Sequence, residues 1–297
     1  MNAELVQVAV NGIDVGIIGF APYEINVGDY LSDGDNKITV KLYSPESSLK
    51  IKTTDDGAYV FEPLGLGADR INYEFIEFDN VSKAYKIGEN NVTALDKVSF
   101  NLENGEFVVI AGPSGSGKTT LLNILGGMDK ADSGNVVVEG ANIGKLTEKQ
   151  LTNYRRNDIG FVFQQNNLVD DLTVRENVEL ASRLSTDAIN VNIALQAIGL
   201  SDHADGIVAN LSAGQQQRVA IARALAKNPK MLLCDEPTGI LNKDESDEIL
   251  SLLYETCKTT NKTAIVVTNN EKIFEKADRV IKLENGCIVE SIVNLED

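Results

Sequence analysis

The chain has 297 residues, room for roughly two domains, and its 43% hydrophobic and 24% charged residues are the balance of an ordinary globular protein. A net charge of -17, with no run of lysine and arginine to offset it, would repel a phosphate backbone and excludes nucleic acid as an expected partner. Cys234, Cys257 and Cys287 form no CxxC pair, which argues against a disulfide framework and suits a reducing cytosol. Nor is there a leader peptide pattern or a stretch approaching the ~18 apolar residues that span a bilayer.

In chain order, residues 1–73 read as a β-rich N-terminal segment, with strands at Leu5–Val10, Val15–Gly19 and Lys37–Tyr43 and turn chemistry at Asn11-Gly12 and Asp33-Gly34-Asp35. A boundary is expected within Pro63–Arg70. Residues 74–297 change texture to strands alternating with longer helical patterns, as in an α/β domain with a largely parallel sheet. Phe107–Ala111 reads as a short buried strand and Lys118–Leu125 as the helix after it. Val174–Leu184 and Val191–Leu200 have helical periodicity with no strand between them, which predicts a small helical insertion. Met231–Cys234 and Ala264–Thr268 are further apolar strands, each running into polar residues.

Ala111 leads into Gly112-Pro113-Ser114-Gly115-Ser116-Gly117-Lys118-Thr119-Thr120, which fits G-x-x-x-x-G-K-[ST] between a strand and a helix. Glycines let such a backbone close around phosphates with its N–H groups turned inward, and the helix start adds its positive dipole end. Lys118 is expected to neutralise the β- and γ-phosphates of ATP, and the Thr119 hydroxyl to reach Mg2+. The bland alternative is a Gly/Ser-rich surface turn before a helix. Asp235 and Glu236 end the run Met231-Leu232-Leu233-Cys234. Asp235 is thus placed to hold Mg2+ through water, and Glu236 to polarise the attacking water as a general base. By itself an acidic pair ending a strand is a solvated terminus; the phosphate loop upstream changes that reading.

Leu211-Ser212-Ala213-Gly214-Gln215-Gln216-Gln217-Arg218 and Asp235-Glu236-Pro237-Thr238 resemble the signature and Walker B segments of ABC (ATP-binding cassette) ATPases, a resemblance that covers Glu74 to the C-terminus. It implies a P-loop cassette with a RecA-like core, an antiparallel β subdomain and a helical subdomain at about residues 165–213. By the same resemblance Ser212, Gly214 and Gln215 would contact the γ-phosphate held by a second ATP-binding subunit, giving a two-fold dimer with two composite sites. Tyr85 looks like the aromatic that stacks on adenine. Gln164, at the end of Ile159-Gly160-Phe161-Val162-Phe163-Gln164, resembles the glutamine that touches Mg2+ and swings with the helical subdomain; Gln165 is the second candidate. The runs Leu121–Gly127 and Gln215–Leu225 are most similar to lipoprotein-release and macrolide-efflux ATP-binding subunits. A transmembrane permease as partner, and a place on the cytoplasmic face of the cell membrane, follow from that resemblance.

Two departures bear on turnover. The family carries a histidine that grips the γ-phosphate after the Val266-Val267-Thr268 strand, where this chain has Asn269. Asparagine can hydrogen-bond a phosphate oxygen but carries neither charge nor a transferable proton, so a slow ATPase is expected. The rival reading is an ATP-gated assembly or regulatory module with little hydrolysis. Asn242 stands where the family generally has aspartate, and Ala213 where glycine is commoner. The only histidine, His203, has no companion at ligand spacing and reads as a surface or capping residue. At the other end, Asn11–Gly16, Ala21–Ile25, Asp29–Leu31 and Gly34–Ile38 resemble part of the galactose-binding-like sandwich of glycoside hydrolases, here read as a fragment at a fusion junction. A third reading, a carbohydrate-binding protein with a vestigial cassette, rests on that segment. Asp14, Asp29, Asp33 and Asp35 miss the spacing of an EF-hand loop.

Overall fold

A computed structural model of the protein describes residues 75–294 apart from Glu89 and Thr186, and the backbone of the strands within residues 1–74. The chain divides into two compact units, Met1–Glu74 and Phe75–Asp297. In the first, β1 (Val6–Val10), β2 (Ile13–Ile18) and β4 (Ile38–Leu42) form an antiparallel sheet in the order β2-β1-β4; β4 follows the two-residue strand β3 (Tyr23–Glu24) in the chain. A second antiparallel sheet has the order β3-β6-β5, with β5 at Leu49–Thr53 and β6 at Tyr59–Pro63. β3, β5 and β6 are additional to the strands read from the sequence, although Leu49-Lys50-Ile51-Lys52 alternates apolar and charged residues as a half-buried strand does. Asp29, Asp33, Asp35, the Asn11-Gly12 turn and the boundary segment beyond Pro63 lie outside the described residues.

The second unit runs β7 (Ile76–Ile87), β8 (Asn90–Leu102), β9 (Phe107–Ala111), α1 (Lys118–Leu125), β10 (Ser133–Val138), β11 (Ala141–Asn142), α2 (Glu148–Asn157) and β12 (Ile159–Phe163). It continues with α3 (Val174–Ser182), α4 (Val191–Ala197), α5 (Ala213–Ala226), β13 (Met231–Asp235), α6 (Lys243–Thr260), β14 (Thr263–Val267), β15 (Arg279–Glu284) and β16 (Cys287–Val293). One sheet is antiparallel, in the order β11-β10-β7-β8; the other, β12-β13-β14-β9-β15-β16, is parallel except for β16. This is the ABC cassette fold.

The central strands are apolar throughout because both faces of their sheet are covered. Along β9, Phe107 and Val109 enter one core with residues of α3, α4, α5 and α6, while Val108 and Ile110 enter another with α1 and the antiparallel sheet. β13 repeats the division, Leu232 and Cys234 on one side and Met231 and Leu233 on the other, as the two-residue period of a strand requires. Cys234 and Cys257 serve this packing: both are buried, and burial pushes the Cys257 thiol up to about 12. The helical insertion is present as α3 and α4, each ending two or three residues sooner than its periodicity suggested. Thr147, Thr173, Ser212 and Asn242 close capping boxes at the starts of α2, α3, α5 and α6, so the helix starts are fixed locally.

Candidate nucleotide site

The parallel strands end level with one another. Phe163 pairs with Asp235, Asp235 with Val267 and Val267 with Ile110, so the chain steps off the sheet at Gln164, Glu236, Thr268 and, one residue further along β9, Gly112, along one edge. The carboxyl edge of an open α/β sheet is where such folds take their ligands. From it β9 enters the loop Gly112–Gly117, which opens directly into α1. A Cβ on Gly112 would lie 2.1 Å from the Leu283 carbonyl oxygen and one on Gly117 2.2 Å from that of Ala94, and Gly117 has φ 106. Both positions therefore require glycine. Gly115, also left-handed, meets nothing within 4 Å, so the tip between the two pinch points is open.

Lys118 folds back over this loop and donates to the carbonyl oxygens of Gly112 and Pro113, each at 2.8 Å. Its side chain is buried, and the Ser116 hydroxyl beside it is buried with no hydrogen-bond partner among the described residues. A glycine loop presenting an ammonium group and an unpartnered hydroxyl is suited to a polyphosphate. The Thr119 hydroxyl, the Asp235 carboxylate and the Gln164 side-chain carbonyl are hard oxygen donors, a set that fits Mg2+.

Glu236 follows the buried strand with φ 45, a left-handed backbone that costs a non-glycine residue energy, and its N–H donates to the Val267 carbonyl at 3.0 Å. The turn that follows brings Gly239 against Gln164, where a Cβ would come within 2.5 Å of the amide nitrogen Nε2. On the next strand end, the Asn269 side-chain oxygen accepts from the Gly112 N–H at 3.1 Å, so the residue at the histidine position touches the first turn of the phosphate loop. Its neighbour Asn270 donates to Asp247 on α6 at 3.0 Å, and Lys272 pairs with the same carboxylate. Those two hydrogen bonds hold the Asp247 carboxyl below the usual carboxylate range.

Tyr85 lies on β7, half-buried, with its hydroxyl donating to Asp129 Oδ2 at 2.7 Å and within reach of Thr120 on α1. Burial, then the Asp129 carboxylate, pushes the phenol above its ordinary value, so it remains a donor at neutral pH. Ser212 and Gln215 are engaged with each other: the Ser212 Oγ accepts from the Gln215 N–H at 3.2 Å and the Ser212 N–H donates to Gln215 Oε1 at 3.0 Å. Gly214 is buried, and a Cβ there would meet Glu245 Oε1 at 3.0 Å. None of the described hydrogen bonds joins this helix start to the phosphate loop of the same chain. Asn242 caps α6, accepting from the Glu245 N–H at 3.0 Å, a task that aspartate or asparagine performs equally. His203 sits exposed at the end of a short 3-10 turn, Ser201–His203.

Sequence reasoning missed the residues that tie the Gln164 loop to α5. Arg223 donates to the carbonyls of Asn166 and Asn167, each at 2.7 Å, Gln217 Nε2 to that of Phe163 at 3.0 Å, and Asn166 to Gln216 Oε1 at 3.1 Å. Burial draws the Arg223 guanidinium below its ordinary value. One signal was available: Gln217 falls on the same helical face as Gly214, Ile221 and Ala224, and a fully buried amide on an apolar face needs a partner.

Residues 95–239 match the family model described as ABC transporter. An ABC transporter ATP-binding protein of Methanocaldococcus jannaschii, MJ0796, is 42% identical over 71% of this chain and 94% of its own length. One from Mycobacterium tuberculosis H37Rv is 39% identical, covering 73% of this chain and 90% of that protein. The macrolide export ATP-binding/permease protein MacB of Hyphomonas neptunium is 39% identical over 72% of this chain, which spans 34% of MacB. Among solved structures, dimeric MJ0796 in a post-hydrolysis state with ADP and Pi matches 73% of this chain and 98% of its own, with a TM-score of 0.67 at 40% identity. With that fold, those motifs and two of these relatives covered over 90% or more of their length, the chain belongs to the ABC transporter family as an ATP-binding cassette.

Proposed function

We propose that this chain hydrolyses ATP to drive a separate transmembrane permease in export, extrusion or lipoprotein release, as one half of an ATP-sandwich dimer on the cytoplasmic face of the membrane. The observation that carries the reading is the single sheet edge where the phosphate loop, Asp235, Glu236, Gln164 and Asn269 all leave their strands. The likeness to macrolide export proteins supports the direction, and the dimeric MJ0796 structure supports the sandwich. No helix among the described residues is long and apolar enough to cross a membrane.

In this reading the N–H groups of Ser114–Thr120 and the Lys118 ammonium hold the phosphates and Tyr85 stacks on adenine. Mg2+, held by Thr119, Gln164 and Asp235, would supply positive charge beside the β- and γ-phosphate oxygens. Glu236 takes the proton of the attacking water. Ser212, Gly214 and Gln215 complete the partner subunit's site, which requires Ser212 and Gln215 to loosen the mutual bonds of their capping box. Asn269 orients a phosphate oxygen through its amide, with no charge to add, so turnover is slow. The β-rich Met1–Glu74 unit is read as a galactose-binding-like fragment at a fusion junction.

The test is phosphate release by the full chain with Mg-ATP beside E236Q and N269H. Release above the E236Q background, raised further in N269H, is expected. Equal rates in all three would sink the motor reading and leave an ATP-binding switch.

A further inference from the structure

A connected cluster of charged side chains outside the phosphate and metal residues lies around Tyr85. The Lys83 ammonium is 2.9 Å from Asp129 Oδ1, 3.6 Å from Asp132 Oδ1, and donates to the Lys130 carbonyl at 2.7 Å. It also sits over the Tyr85 ring, 5.3 Å from the centroid. The other Asp129 oxygen accepts from the Tyr85 hydroxyl, and the Lys130 N–H donates to Asp129 Oδ1 at 2.7 Å. Asp132 closes the group by accepting from the Ala84 N–H at 2.7 Å, next to Tyr85 on the strand. The Tyr85 hydroxyl, also within reach of Thr120 on α1, is thus tied to a carboxylate in the segment following that helix, 44 residues further along the chain.

We infer that Asp129 and Lys83 are positioning residues for nucleotide binding: Asp129 fixes the Tyr85 ring by its hydroxyl while Lys83 covers one face, leaving the ring oriented to take the base of a nucleoside triphosphate. The inference rests on the proposed stacking of Tyr85 on adenine. A ring joined to the strand only through its Cα–Cβ and Cβ–Cγ bonds can turn about both, and a base that stacks on it must first stop that motion. The Asp129 carboxylate removes that freedom before the ligand arrives, which is pre-organisation. The cation over one face also draws on the ring's π-density, so the ring is held without a second aromatic beneath it.

The role is confined to the base. Lys118, the loop glycines and the metal donors read the phosphates, and none of them contacts Asp129 or Lys83 among the described hydrogen bonds. A ligand with the phosphates and no base is therefore indifferent to this cluster, which separates positioning of Tyr85 from general support of the loop.

The experiment measures binding of Mg-ATP and of magnesium tripolyphosphate to the full chain by calorimetry, for the native protein, Y85F, Y85A, D129A and D129N. Y85F keeps the ring and deletes the hydroxyl, so it severs the tie even if D129A fails to fold. Expected is a loss of ATP affinity of about 5- to 10-fold in Y85F and D129A, the scale of one net hydrogen bond. D129N, whose amide oxygen still accepts from the hydroxyl, recovers part of it. Tripolyphosphate binding is unchanged throughout. Equal losses for both ligands would make Asp129 a structural residue and overturn the inference. Y85F binding like the native chain while Y85A weakens ATP alone would overturn the positioning role and leave stacking intact. If Y85A leaves the ATP to tripolyphosphate ratio unchanged, stacking itself fails and the inference falls with it.

Discussion

Replacing Arg223 with methionine would cut the loop that carries Gln164 loose from α5. The guanidinium makes two hydrogen bonds of 2.7 Å to the carbonyls of Asn166 and Asn167, and no carboxylate offsets the cost of its burial. A hydrogen bond from a charged donor contributes about 1.5 kcal/mol, so the pair is worth up to about 3 kcal/mol; water reaching the freed carbonyls reduces this to about 2 kcal/mol in R223M. Lysine keeps the charge but cannot fork to both carbonyls, so R223K loses about 1 kcal/mol. Urea denaturation followed by far-UV circular dichroism gives the stability, and phosphate release with Mg-ATP gives the effect on the loop. Turnover is expected to fall further than ATP affinity, because the phosphate loop is untouched while Gln164 loses its tether. R223M with native stability and native turnover would refute the tether.

N242A removes the cap of α6 and is expected to lose about 1 kcal/mol in a denaturant titration, whereas N242D, which caps as well, stays within a few tenths. The same pair separates capping from charge in catalysis: N242D raises phosphate release only if the family's aspartate acts through its charge. A pH effect follows from Lys227, which donates to the Arg155 carbonyl and whose ammonium burial pulls down to about 8, against an unfolded value of about 10.4. Between those values the unfolded chain binds the proton and the folded chain does not, so this residue makes stability rise with pH across about 8 to 10.4. The urea midpoint of K227M minus that of the native chain should fall as pH increases through that window; a difference that stays flat would show the ammonium to be well solvated.

What could be read in the sequence was what is contiguous in it. Gly112 to Thr120 carries its chemistry in nine adjacent residues, and Asp235 and Glu236 are delivered by a strand whose apolar run is visible on its own. Gln164 and Asn269 were recognisable only through a resemblance, because nothing local to either says that parallel pairing sets both level with Asp235. The Arg223 bonds cross 56 and 57 residues, and the Tyr85 to Asp129 bond 44, distances over which composition and periodicity carry no information. Asn242 shows the opposite limit: its place in the chain says nothing of the backbone N–H of Glu245 that its side chain caps, a task for which the amide suffices. The left-handed backbone of Glu236 was equally hidden, since glutamate has no preference for that region and only the surrounding turn can impose it.

Helix α5 has 14 residues, with Ser212 at its cap and Arg223 about 16 Å further along its axis. Beyond Gly214 it holds neither glycine nor proline, the usual points of bending. It therefore behaves as a stiff rod with a clamp at either end: one on the exposed Ser212 turn, the other on the backbone of residues 166 and 167. A load applied at the serine end arrives at the loop after β12 as displacement rather than being absorbed on the way, so neither end can shift without the other registering it.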